Sequence, residues 1–102
     1  MSSPSLTLIT ATYNCRDALA GLRSALCQQT DADFTWVAVD GLSSDGTVDL
    51  LNQDTPFRRD WISERDFGIY DALNKGVRRT ATTHYCVLGS DDRPAADFVE
   101  RF

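Results

Sequence analysis

The 102-residue chain is short of positive charge: ten Lys and Arg stand against fifteen Asp and Glu, for a net charge of −5. A surface that follows nucleic-acid phosphates needs a basic stripe, so nucleic acid is not an expected partner. Should the ligand be anionic, something other than surface charge must attract it, and a divalent cation held by carboxylates would serve. Cysteine is scarce and unpaired in pattern. Cys15, Cys27 and Cys86 are odd in number and show no CxxC spacing, which indicates neither a disulfide framework nor a zinc site. Small, buried or half-buried thiols in a reducing cytosol fit better. The single histidine, His84, has no second histidine nearby and is read as structural. No apolar run approaches the ~20 residues needed to span a bilayer, and Met1–Ser5 show neither the basic nor the apolar region of a signal peptide. Both absences point to the cytoplasm.

Several nucleotide and hydrolase signatures are also missing. There is no GxGxxG after the first apolar run and no GxxxxGK[ST], which sets aside dinucleotide-dependent oxidoreductases and P-loop NTPases. The G-x-S-x-G elbow and a Ser, His and Asp set are absent too, so a hydrolase triad is not indicated. Internal repeats, low-complexity segments and linkers are lacking.

What is present is the composition of an ordinary globular protein, 42% hydrophobic and 25% charged, with length for one small domain. The most informative stretch runs from Val37 to Thr47. Trp36, Val37 and Val39 end in Asp40, after which Gly41, Ser43, Ser44, Asp45 and Gly46 form a polar turn that opens a helix. Strand, acidic tip, helix start is the reading. In an open α/β sheet, ligands bind outside the carboxyl ends of strands, so Asp40 is a candidate contact residue. The alternative is a strand-end Asp that only bonds turn amides.

Around it, Leu6–Ala11, Phe34–Val39, Asp60–Ser63 and Thr83–Leu88 read as strands, the third short and charged enough for a sheet edge. Asn14 is placed to cap a helix reaching about Gln29, with Leu19, Leu22 and Leu26 on one face. Gly21 weakens that helix by ~1 kcal/mol relative to Ala, which suggests close packing against a neighbour. A second helix is expected from Gly46 to about Gln53, capped by Ser44 or Asp45, with Val48, Leu51 and Leu50 inward. A third should run from Gly68 to Arg79, capped by Asp66, with Ile69, Leu73, Val77 and Ala72 inward. Pro94 suits the first turn of a further helix carrying Ala95, Phe98 and Val99.

Strand and helix alternation implies an α/β fold: a doubly wound, mostly parallel sheet with right-handed crossovers. In the common order 3-2-1-4, the tips Thr12-Tyr13-Asn14, Asp40 and Ser90-Asp91-Asp92 border one crevice. The adjacent carboxylates Asp91 and Asp92 are hard ligands suited to Mg²⁺ or Mn²⁺ bridged to a diphosphate; the competing reading is a solvated loop capping the next helix. Tyr13 can stack on a base, or be an ordinary loop Tyr. Asp66-Phe67-Gly68 leads into a helix whose amino end suits a phosphate, and Lys75 and Arg65 are candidate phosphate partners or plain surface charge.

With these tips assembled, the sequence resembles the family 2 glycosyltransferases of the GT-A, Rossmann-like fold, nearest to bacterial polysaccharide and lipopolysaccharide biosynthesis members. The matching blocks are Ile9-Thr10-Ala11-Thr12-Tyr13-Asn14, Val39-Asp40-Gly41-Leu42-Ser43-Ser44-Asp45-Gly46-Thr47, the stretch from Trp61 to Gly76, and Gly89-Ser90-Asp91-Asp92. The resemblance implies transfer of a sugar from a nucleotide-diphosphate sugar to a glycan or lipid-linked acceptor. It further implies that Thr12 and Tyr13 cradle the base, that Asp40 contacts it, and that Asp66 lies close to the nucleotide. Asp91 would stand nearer the ribose, and Asp92 would be the metal ligand, with Asp91 beside it. Ser90 stands where a literal DXD element has its first carboxylate.

By the same resemblance, residues 1–102 are the nucleotide-sugar-binding half of the domain, cut after strand four. The acceptor-binding half and the general base are expected downstream of residue 102, and the parent protein to work in the cytoplasm, including the inner face of the membrane. Alone, this half is expected to bind nucleotide weakly and turn nothing over. Its unpaired sheet edge leads us to expect homo-oligomers. A nucleotidyltransferase of related architecture would want a Gly-rich, basic loop after strand one, where Thr12-Tyr13-Asn14-Cys15-Arg16 stands. A non-catalytic nucleotide-sugar-binding module is the other alternative.

Overall fold

Four extended runs, the first two rich in β-branched residues, pair side by side, and the three segments between them coil back as helices. A computed structural model describes residues 6–102; the reading of Met1–Ser5 lies outside them. The elements are β1 (Leu6–Thr12), α1 (Arg16–Cys27), β2 (Thr35–Asp40), α2 (Thr47–Leu51), β3 (Arg58–Ser63), α3 (Ile69–Arg78), β4 (His84–Val87) and α4 (Phe98–Arg101). The sheet order is β3-β2-β1-β4, as expected, and every pairing is parallel. Register aligns Thr12 with Asp40 and Asp40 with Ser63, so three strands end level at one rim.

Both faces of the two central strands are covered, which is why their sequences are apolar residues and threonine with no charge before the terminal Asp40. On one face, Leu6, Leu8 and Trp36 meet Leu19, Leu22 and Leu26 of α1 and Leu50 and Leu51 of α2. Burying each α1 leucine contributes roughly 2 kcal/mol, which outweighs the cost of Gly21 in that helix. The buried Trp36 indole donates to Thr10 Oγ1 at 3.0 Å, so no polar group is stranded there. On the other face, Ile9, Val37 and Val39 lie under Ala72 of α3.

That second interface corrects the expectation for α3. Its buried residues are Ala72 and Gly76, while Ile69 and Val77 are 63% and 37% exposed. The helix comes so close to the sheet that a Cβ on Gly76 would stand 2.5 Å from Ile9 Cγ2. Only small residues fit at the line of contact, and the larger apolar ones are displaced to its flanks.

Other boundaries shift as well. Asn14 does not cap α1; its backbone takes a left-handed φ of 45° and Cys15 stands at the N-cap. In α2 the cap is Gly46, at φ 95°, with Leu50 and Leu51 buried and Val48 only half-buried. Gly68 rather than Asp66 occupies the N-cap of α3. Pro94 lies outside any helix, because α4 begins only at Phe98 behind Asp97.

The sheet edges differ. β3 carries Arg58, Arg59 and Asp60, charges that discourage pairing, and Arg79 of α3 grips Asp60 through two bonds of 2.7 and 2.8 Å. β4 carries no charged residue, and Tyr85 and Val87 are about half exposed. No helix among the described residues is long and apolar enough to cross a membrane.

Candidate functional site

The level ends of β1, β2 and β3 are tied together by one buried carboxylate. Asp40 Oδ1 accepts from Thr12 Oγ1 at 2.7 Å and Ser43 Oγ at 2.6 Å; Oδ2 accepts from Ser43 N and Ser63 Oγ, each at 2.8 Å. Burial raises its pKa, but the bonds from Ser43, Thr12 and Ser63 outweigh that and hold it below the usual 3.8. Four donors fill the acceptor capacity of a carboxylate. A ring N–H therefore reaches Asp40 only when one of these hydroxyls turns away. Ser43 was placed only in the polar turn and Ser63 only in a strand, since a hydroxyl carries no signal of the carboxylate it will bond.

The turn after Asp40 is clasped by the turn after β1. Asn14 N donates to Ser43 Oγ and Asn14 Oδ1 accepts from Ser44 N, both at 2.8 Å. Asp45 accepts from Arg16 N, and Thr47 Oγ1 from Cys15 N. Thus the Cys15 and Arg16 amides at the start of α1 are satisfied by side chains from a distant turn rather than by a local cap. A cavity of about 500 Å³ lies beside this clasp, lined by Asn14, Arg16, Asp17 and Asp45.

Beyond this clasp, Tyr13, Gly41 and Asp66 meet. A Cβ on Gly41 would stand 2.7 Å from Asp66 Oδ2 and 3.6 Å from Tyr13 Cδ1. A side chain here would displace the acid, and a glycine directly after a strand-end Asp was the available signal. Tyr13 is 65% exposed, so its ring face is open. Thr12, Tyr13, Asp66, Gly68 and Ile69 line a shallow cavity of about 250 Å³. Asp66 Oδ1 accepts from Gly68 N at 3.2 Å, a turn bond rather than a helix cap.

The segment carrying Asp66 is pinned from α3. Lys75 Nζ donates to Arg65 O at 2.7 Å and pairs with Glu64 at 3.2 Å and Asp71 at 3.3 Å. Asp71 also accepts from Phe67 N. Burial lowers the Lys75 pKa, but the Glu64 and Asp71 bonds prevail and leave it raised. Lys75 is thus engaged in holding the loop, and Arg65 lies over the Phe67 ring at 5.6 Å.

Asp91 and Asp92 follow β4, whose Val87 is level with Ile9 and whose Leu88 N donates to Ile9 O. Their turn leaves the sheet at the same rim as Thr12 and Tyr13. Asp92 Oδ2 accepts from Gly89 N at 2.7 Å, and a Cβ on Gly89 would meet Asp91 Oδ1 at 3.1 Å and Asp92 Oδ2 at 3.5 Å. Both carboxylates crowd onto one glycine and stay exposed; neither caps α4. Among the described residues no cluster of three His, Cys, Asp or Glu could hold an ion alone. Two hard, solvent-open carboxylates do fit a Mg²⁺ or Mn²⁺ that completes its shell with water and a diphosphate.

His84 lies on the outer strand against Phe102, away from these acids. The three cysteines are free and half-buried, and burial together with the Asp92 charge pushes the Cys86 thiol up.

The sequence model of the family described as glycosyl transferase family 2 matches residues 7–102. A "PGL/p-HBAD biosynthesis glycosyltransferase" of Mycobacterium tuberculosis is 35% identical over 95 residues, covering 90% of this chain and 37% of that protein. The "putative teichuronic acid biosynthesis glycosyltransferase TuaG" of Bacillus subtilis is 29% identical, over 96% and 40%. The chain therefore spans less than half the length of these curated relatives. Among solved structures, S. aureus TarS 1–349 in complex with UDP-GlcNAc superposes with TM-score 0.81 at 19% identity, over 94% of this chain and 29% of that one. The mannosyltransferase PcManGT from Pyrobaculum calidifontis, in complex with GDP-Man and Mn²⁺, gives 0.74 at 23% identity, over 89% and 28%. At such identities the two structures show a shared fold.

Proposed function

Since this chain belongs to glycosyl transferase family 2, we propose that the protein containing it transfers a sugar from a nucleotide-diphosphate sugar to a glycan or lipid-linked acceptor, and that this rim binds the donor. The observation that carries the reading is the meeting of Tyr13 and Asp66 over Gly41, at the rim where Asp91 and Asp92 also emerge. Tyr13 offers its open face to the base. Thr12 and Asp40 frame the floor, and Asp40 receives a ring N–H when a hydroxyl beside it rotates. Asp66 lies close to the nucleotide, Asp91 stands toward the ribose, and Asp92, with Asp91, would hold Mg²⁺ or Mn²⁺. Such a cation neutralises the diphosphate and stabilises it as a leaving group.

In the reaction, the bond between the anomeric carbon and the diphosphate oxygen breaks as the acceptor hydroxyl oxygen bonds to that carbon. The hydroxyl proton passes to a general base, which we place outside residues 1–102. Relatives named for PGL/p-HBAD and teichuronic acid biosynthesis support a glycan or lipid-linked acceptor. Such acceptors suit a cytoplasmic protein working at the inner membrane face.

Release of nucleoside diphosphate by the full-length protein, offered uridine, guanosine and thymidine diphosphate sugars with lipid-linked acceptors, tests the reading. Release that requires Mn²⁺ or Mg²⁺ and disappears in Asp92→Asn is expected. A protein that binds these donors yet never transfers the sugar would instead be a binding module.

A further inference from the structure

We propose that Arg93, seated against Gly21 of α1, is a positioning residue that holds the Asp91–Asp92 turn in the shape a divalent cation needs. Arg93 Nη1 donates to Ser90 O at 3.0 Å and to Asp92 O at 2.7 Å, while Nη2 donates to Ala18 O at 2.9 Å. One rigid guanidinium thus ties the backbone on both sides of Asp91 to the first turns of a helix 75 positions away in sequence. Its donors go to carbonyls, so it fixes the turn without pairing with the carboxylates a cation would use.

Gly21 makes this seat. A Cβ there would overlap the guanidinium, with Nε only 2.6 Å away. The close packing that a mid-helix glycine suggested is therefore against Arg93, a residue of the acidic turn itself. Along β4 and its extension, Leu88 N is bonded to Ile9 O, so the turn is fixed at its start by the sheet and at its end by α1. A turn fixed at both ends keeps Asp91 and Asp92 gathered over Gly89 before any ion arrives. Outer groups that orient ligands in this way typically change metal affinity about 10- to 100-fold when removed.

This role rests on the cation site proposed above, and the test separates the two. Mn²⁺ is titrated into the full-length protein in the presence of uridine, guanosine or thymidine diphosphate, and Mn²⁺ affinity is read by calorimetry or electron spin resonance. Arg93→Gln should weaken Mn²⁺ binding about tenfold or more. Gly21→Ala should do the same alone, although alanine favours the helix, and should add nothing in the Arg93→Gln background. Circular dichroism reports the folded fraction, because a merely structural role would lower thermal stability and leave the Mn²⁺ affinity of folded molecules unchanged. Unchanged affinity in both variants overturns the role of Arg93 alone. A wild-type protein that binds no Mn²⁺ overturns the cation site and this role with it.

Discussion

Thr12 and Asp40, 28 residues apart, stand level at the ends of adjacent strands, and the threonine hydroxyl donates to the buried carboxylate at 2.7 Å. Ser63 does the same from the third strand at 2.8 Å. The carboxylate is therefore a knot between strand ends as well as a candidate base contact. Above this buried network Tyr13, Asp91 and Asp92 lie open to solvent, where the proposed donor would sit.

Asp40→Asn should destabilise the fold by about 2–3 kcal/mol, because the new NH₂ faces hydroxyl and amide donors and leaves buried groups unsatisfied. Urea denaturation measures this directly. A loss below about 0.5 kcal/mol, the usual size of a surface substitution, would contradict the network.

Asp40 should also contribute to acid unfolding. Its folded pKa lies below the ordinary 3.8, so its contribution is complete above the unfolded value and is lost as pH falls through the folded one. Wild-type stability should therefore fall more steeply than that of Asp40→Asn between about pH 5 and pH 2. Urea midpoints across that range decide it; parallel curves would contradict the lowered pKa.

Gly76→Ala should destabilise by about 1–3 kcal/mol, the range for overpacking a tight core. In an open helix the same change would stabilise by ~1 kcal/mol. The sign of the change in thermal midpoint thus reports whether α3 sits as close to Ile9 as the 2.5 Å approach requires.

Lys75→Met should weaken nucleotide binding by the full-length protein several-fold while barely changing its melting temperature. Lys75 is half-buried, but its partners Glu64 and Asp71 both reach solvent, so the ion pairs add little to stability; Lys75 nevertheless holds the Arg65 carbonyl and Asp71, and Asp71 holds the Phe67 amide. Calorimetry and thermal denaturation together separate the effects. Equal nucleotide affinity would show that the loop keeps its shape without the lysine.

Strand content and order were legible because Leu6–Ala11 and Phe34–Val39 contain only apolar residues and threonine, and alternation with helices leaves few topologies. The acidic tips were legible for the same reason, since strand ends in such sheets share one rim. The inward face of α3 was not. Ala72 was expected inward and is buried, but four-residue spacing marks Ile69 and Val77 as well, and only the three-dimensional approach to Ile9 puts Gly76 in their place. Asn14 looked like a helix cap because its side chain suits one; in the fold that side chain closes a turn 30 residues away. Pro94 favours a helix start locally, but the chain continues unwound to Asp97 while Ala95 O and Ala96 O bond Gln29 and Thr30. Ser63 reaches Asp40 from 23 positions away and Arg93 reaches Ala18 O from 75, contacts that no local pattern reveals.

The most direct test of the donor rim is calorimetric titration of the full-length protein with uridine, guanosine and thymidine diphosphates, with and without Mn²⁺. The account predicts saturable binding of at least one of them that strengthens with Mn²⁺, with that strengthening lost in Asp92→Asn and affinity reduced in Tyr13→Ala. Failure to bind any of the three, with or without the cation, would contradict it.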